Sequence, residues 1–162
     1  MEIRSASDAE RNAARIMRAI GFPDAHVTNA GPDGGIDVAS HRAVAQVKWY
    51  GNAKVGRPDL QRLYGARGKR IDLRLFFFSS SGYSADAVAW ANEHEVALFT
   101  FDDTGRASAV NYLAQSRYGT KLREEEGNPY GAVGDVFMVV AKFVGWLIIA
   151  GLFVGAIMSS CS

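Results

Sequence analysis

Gly34-Gly35-Ile36-Asp37-Val38-Ala39-Ser40-His41-Arg42-Ala43-Val44-Ala45-Gln46-Val47-Lys48-Trp49-Tyr50 is the stretch on which the reading of this chain turns. Two runs of strand-favouring residues, Ile36 to Ser40 and Ala43 to Tyr50, flank His41-Arg42, the spacing of a tight hairpin. Side chains alternate across a strand, so Gln46 and Lys48 share one face while Ala45, Val47 and Trp49 share the other. Asp37 stands between Ile36 and Val38, which are expected together on the opposite, apolar face. The hairpin then returns Asp37 to the side of Gln46 and Lys48. An acid, an amide and an ammonium meet at one sheet edge.

The flanking sequence supplies the rest of an α/β domain. Upstream, Ser7-Asp8-Ala9-Glu10 opens a helical pattern through Ala13, Ile16, Met17 and Ile20, which Gly21 ends. A short strand near His26 to Thr28 and a turn at Gly31 to Gly35 lead into the hairpin. Downstream, Pro58 starts a helix to Arg67, as a first-turn proline does. Leu73 to Phe78 and Val96 to Phe101 read as buried strands, and Ser84 to Glu93 as the helix between them. The order α-β-β-β-α-β-α-β predicts a mixed central sheet flanked by helices on both faces.

The chain has 162 residues, of which 48% are hydrophobic and 22% charged, the mix of a folded protein with one domain of ordinary size. The net charge of +1 excludes a bulk polycation, but its distribution is uneven. Residues 42 to 74 carry nine basic side chains against Asp59 and Asp72, while residues 81 to 131 carry four basic against eight acidic. The basic block suits nucleic-acid phosphates, with a solvated helix face as the plainer alternative. Its members Lys54, Arg57, Arg62, Arg67, Lys69 and Arg70 follow the Gln46-to-Lys48 strand and are expected close to the site.

Val136 to Met158 is a run of 23 residues with Lys142 as its one charge. As a helix it is about 34 Å long, enough to cross a bilayer core. It shows no polar stripe, which argues against a buried core helix. The expected layout is one α/β domain at 1–118, a Gly-rich linker at 119–135, a membrane helix at 136–158 and a short tail at 159–162. Met1 to Asn12 is polar and charged, unlike a secretory signal. Lys121, Arg123 and Lys142 precede the span's apolar part, so a cytoplasmic domain and a single-pass, tail-anchored topology are expected. The single Cys161 fits a reducing compartment for the domain. Gly151 and Gly155 form a G-x-x-x-G pair, a weak signal for helix pairing.

Asp37 and the Gln46 carbonyl are hard oxygen donors of the kind Mg²⁺ prefers. Lys48 suits stabilisation of phosphate charge or handling of a water. Glu10, on the inner side of the first helix, is a fourth candidate. Each has a plainer reading. Glu10 fits a capping box with Ser7, and Asp37 fits a cross-hairpin pair with Lys48. Gln61 fits either the site or a helix surface, and Asp33 fits a turn. His26, His41 and His94 lack zinc-ligand spacing.

From Ser7 to Gly105 the sequence resembles the Mrr-like restriction endonucleases of the PD-(D/E)XK nuclease superfamily. The likeness rests on Gly-Gly-Ile-Asp-Val, the nine positions from Asp37 to Gln46, and Gln-Val-Lys. It extends to the leading helix with Glu10, the helix with Gln61, and the passage from Phe77 to Ser84. It implies a restriction-endonuclease-like sandwich and a DNA endonuclease using Mg²⁺ or Mn²⁺. Asp37, Gln46, Lys48 and Glu10 would be the catalytic residues, and Asp37, Gln46 and Glu10 the metal ligands. Gln61, Lys54 and Arg57 would meet substrate. Gln46 stands where a carboxylate is commoner in the superfamily, which lowers the expected metal affinity. Partners expected are DNA, the membrane and a second copy, through the nuclease domain or the Gly151/Gly155 helix face. The alternative is a catalytically weak nuclease fold that binds DNA or a partner at the membrane.

Overall fold

The computed structural model describes residues 2–28, 35–49 and 53–125. Ten elements follow in order: α1 (Ala6–Ala19), β1 (His26–Val27), β2 (Val38–Ala39), β3 (Ala43–Lys48), α2 (Arg57–Ala66), β4 (Arg74–Ser79), α3 (Ala85–Glu93), β5 (Val96–Phe101), β6 (Ala107–Ala109) and α4 (Tyr112–Glu125). The six strands form one sheet in sequence order. β3, β4 and β5 are mutually parallel, while β1, β2 and β6 pair antiparallel to their neighbours. The predicted mixed α/β sandwich is what the chain forms.

Each face of the sheet builds its own core. Ala9, Ala13, Ile16 and Met17 of α1 pack with Ala114 and Leu122 of α4 onto Val38, Ala45, Phe76, Phe78 and Phe99. Leu60 and Leu63 of α2 pack with Ala87, Trp90 and Ala91 of α3 onto Val44, Leu75, Phe77 and Leu98. β4 is apolar nearly throughout because it has a helix layer on both sides; Phe76, Phe77 and Phe78 are all fully buried. Tyr83 sits in the second core with its hydroxyl 2.8 Å from the carbonyls of both Phe77 and Phe99, donating its proton to one at a time.

Several boundaries differ from the sequence reading, each for a local reason. α1 is capped by Ser5, not Ser7: the Ser5 hydroxyl accepts from Asp8 N at 3.1 Å and donates to Asp8 Oδ2 at 2.7 Å. Those bonds and Arg11 hold the Asp8 carboxyl down to about 2. Glu10 therefore takes no part in the cap. β2 is limited to Val38–Ala39 where Ile36 to Ser40 is expected. Ile36 packs against the α2/α3 core and Val38 lies in the α1/α4 core, so they do not share a face. The alternation breaks at Asp37.

At the other end, β6 and α4 lie beyond the last element expected from the sequence. Asn111 starts α4: its Oδ1 accepts from Ala114 N at 3.2 Å and from Leu98 N at 3.0 Å, and its amide donates to Val96 O and Asn92 Oδ1. The compact unit extends to Glu126, so residues 119–125 are helix where a linker is expected. The Val136–Met158 span, Gly151/Gly155, Cys161 and Asp33 lie outside the described residues. Among the described residues no helix is long and apolar enough to cross a membrane.

Candidate active site

The site is built where the β2–β3 ladder stops. Ser40 N donates to Ala43 O at 2.8 Å across the His41-Arg42 turn, and Val38 and Ala39 pair with Ala45 and Val44. Beyond them Asp37 N reaches Ala45 O at 2.8 Å, and the next amide on β3, Val47 N, donates to Asp37 Oδ2 at 2.7 Å. A carboxylate oxygen thus receives an amide that a longer ladder would give to a backbone carbonyl. Burial raises the Asp37 carboxyl above the usual carboxylate range, with the Val47 bond opposing. Glu10, half-buried on α1, is raised first by burial and then by the nearby charge of Asp37. Its partial burial agrees with the inner side of the helix that the periodicity predicts.

Gln46, opposite the point where β2 ends, has a shielded Oε1 with no hydrogen-bond partner among the described residues. Gly35 flanks it with a positive φ of 58°, and a Cβ there would stand 3.8 Å from Gln46 Nε2 and 3.9 Å from Oε1. A buried carbonyl oxygen without a donor is costly unless something electropositive meets it. Carboxylate and amide oxygens of the kind that Asp37, Glu10 and Gln46 carry are hard donors that suit a divalent cation. Among the described residues no three His, Cys, Asp or Glu side chains group as a metal site.

For Lys48 it is the plainer reading, a cross-hairpin pair, that the structure does not form. The lysine does not pair with Asp37; its Nζ donates to Asp59 Oδ1 at 2.7 Å. Asp59 lies in the first turn of α2, where Oδ2 accepts from Gly56 N at 3.2 Å and Arg62 pairs with Oδ1. Burial pushes its carboxyl up, but the bonds from Lys48 and Gly56 and the charges of Lys48 and Arg62 outweigh it, and the net shift is down. Asp59 is the residue the sequence reading missed. An acid just after a first-turn proline looks like an ordinary dipole or capping residue, and that spacing was the one signal available.

The basic block splits. Lys54 is exposed just before α2, and Arg57 at its start lies 3.8 Å from Asp86, so both stand at the Lys48 end of the parallel strands. α2 then runs back about 15 Å toward the start of β4. Arg67, Lys69 and Arg70 are therefore at the far end, with Arg67 over the Tyr64 ring at 4.4 Å and Arg70 bonded to His41 O at 3.0 Å. Gln61 is exposed on α2 and two residues from Asp59, a spacing that points elsewhere on a helix.

The chain thus folds as a mixed sheet between helix layers, with Asp37 just before β2 and Gln46 and Lys48 on β3. A family model of the Mrr catalytic-domain type, described as restriction endonuclease, matches residues 4–104, more than half of the chain. The chain belongs to that family, and its fold and nuclease class follow, with DNA as the implied substrate. Neither the curated proteins nor the solved structures contain a match.

Proposed function

We propose that this protein is a divalent-metal-dependent DNA endonuclease of the Mrr-like type, working in restriction or defence against foreign DNA at a membrane surface. The observation that carries the metal is the orphaned Gln46 Oε1, one position beyond the Val38–Ala45 pair on β3, with Asp37 one position beyond it on the facing segment. Asp37, Gln46 and Glu10 hold the cation, Mg²⁺ or Mn²⁺. When bound, it supplies Lewis-acid activation of water and charge compensation at the scissile phosphate. Asp37 is oriented for this by Val47 N, which fixes its Oδ2. Lys48 stabilises the negative charge that builds on the phosphate oxygens during attack. Lys54 and Arg57, at the same strand ends, hold flanking phosphates.

The membrane reading rests on the 23-residue run Val136–Met158 with its one charge, Lys142. A single pass there leaves the nuclease domain on the cytoplasmic side, with Lys121 and Arg123 as the positive flank. The full chain should sediment with membranes and resist carbonate extraction; extraction by carbonate would overturn the anchor.

The activity test uses the full chain in detergent on supercoiled plasmid. Cleavage should require Mg²⁺ or Mn²⁺, stop with chelator and fail in Asp37→Ala and Lys48→Ala. Salt-sensitive DNA binding without cleavage under any divalent metal would favour a nuclease fold retained for binding alone.

A further inference from the structure

The partner of Lys48 Nζ is Asp59 Oδ1, while Asp37 of the hairpin is bonded to Val47 N. The Asp59 side chain is 13% exposed against 44% for Lys48, so the anchor is the more enclosed partner. Oδ2 is fixed by Gly56 N at 3.2 Å, and Oδ1 takes Lys48 Nζ at 2.7 Å. Gly56 and Pro58 fix the start of α2, and Leu60 and Leu63 bury its inner side, so the carboxylate belongs to a rigid element. A lysine has a flexible four-carbon stem and brings no orientation of its own. The direction in which Nζ is held must come from a partner.

We propose that Asp59 is the positioning residue for Lys48. It keeps the ammonium on the Gln46 side of β3 and presents it to the phosphate as a fixed cation. Arg62, paired to the same oxygen from an exposed position, is the group that leaves Asp59 when phosphate arrives, while Lys48 stays. This gives Lys48 the role of charge stabiliser, since a side chain donating to a carboxylate is poorly placed to take a proton from water. The proposal rests on the nuclease reading above and refines it.

Asp59→Asn and Asp59→Glu are compared with wild type in the full chain, as kcat and KM for plasmid cleavage. Asp59→Asn should lower kcat about ten- to hundredfold with KM within about twofold, the cost of a misplaced group near the reacting atoms. Asp59→Glu, which keeps the charge, should recover part of the loss. Unfolding midpoints of Asp59→Asn, Lys48→Met and the double variant should fail to add, because the two residues act through one contact. A merely structural Asp59 would shift the unfolding midpoint and leave kcat within about twofold, and that result, or additive midpoints, overturns the proposal. If wild type cuts no DNA with any metal, the nuclease reading fails by itself. The unfolding cycle then still decides whether Asp59 holds Lys48.

Discussion

β4 and the β2–β3 hairpin lie side by side in one sheet and are built in opposite ways. β4 pairs with β3 and β5 along its length, and Phe76, Phe77 and Phe78 fill both cores. The hairpin pairs for two residues of β2 and then hands an amide to a carboxylate. In β4 the polar backbone atoms are spent on neighbouring strands and the side chains on packing. At the hairpin, carboxylate and amide oxygens are left over. Stability is concentrated in one strand, and the means of chemistry sit on the next, held in place by it.

The comparison breaks first if β4 is not the scaffold. Phe77→Ala should cost about 3–5 kcal/mol by denaturant unfolding, since a fully buried ring leaves a cavity between α2, α3 and the sheet. A loss below about 1 kcal/mol would show that the core tolerates what this packing forbids.

Asp37→Asn should do the reverse. Cleavage should fall at least about a hundredfold, equivalent to roughly 2.7 kcal/mol of transition-state stabilisation. Its effect on folding has the opposite sign. Asp37 is raised in the folded protein, so between the ordinary carboxylate range and that raised value the native state keeps a proton the unfolded chain has released. Wild type therefore loses stability as pH rises through that window, and Asp37→Asn should flatten the slope while keeping an acceptor for Val47 N. Glu10, raised partly by Asp37, should titrate lower in the same variant. Mn²⁺ should raise the wild-type melting temperature at neutral pH and leave the variant's unchanged. Equal melting shifts in both proteins would remove Asp37 from the ligand set.

A smaller effect sharpens the scaffold side. Tyr83→Phe should cost about 1 kcal/mol, because it removes a buried hydroxyl shared by carbonyls of β4 and β5, with no change in kcat. At the bottom of the scale, Arg57→Ala should change unfolding by less than about 0.5 kcal/mol. Its partner Asp86 is 3.8 Å away and both are exposed. A weaker KM for DNA with unchanged kcat would be its signature as a phosphate contact.

The strongly periodic parts were legible without coordinates. Val96–Phe101 has the expected bounds, and the helix opened by Pro58 is shifted by one residue, because hydrophobic runs and a first-turn proline dominate their local choices. α4 was not legible. Its buried residues are Ala114, Gly119 and Leu122, two of them too small to mark a stripe, and its Glu124-Glu125 end reads as a charged linker. The one clear sign, Asn111 as a cap, depends on contacts to β5 that only the fold supplies. The site divides the same way. The positions of Asp37 and Gln46, each one residue beyond the Val38–Ala45 pair, follow from the hairpin, whereas the face of Asp37 does not, because the alternation breaks there. Nor does Lys48's partner, since Asp59 reaches it from another element across 11 positions of sequence.

The bond from Val47 N to Asp37 Oδ2 also turns the backbone into a reporter. An amide proton shared with a carboxylate senses whether that carboxylate is protonated, ionised or pulled toward a cation. The chemical shift of the Val47 amide should therefore titrate with Asp37, and move again on adding Mg²⁺, in a protein that has cut nothing. Occupancy of the site becomes observable at one backbone position, independent of turnover and of any choice of DNA.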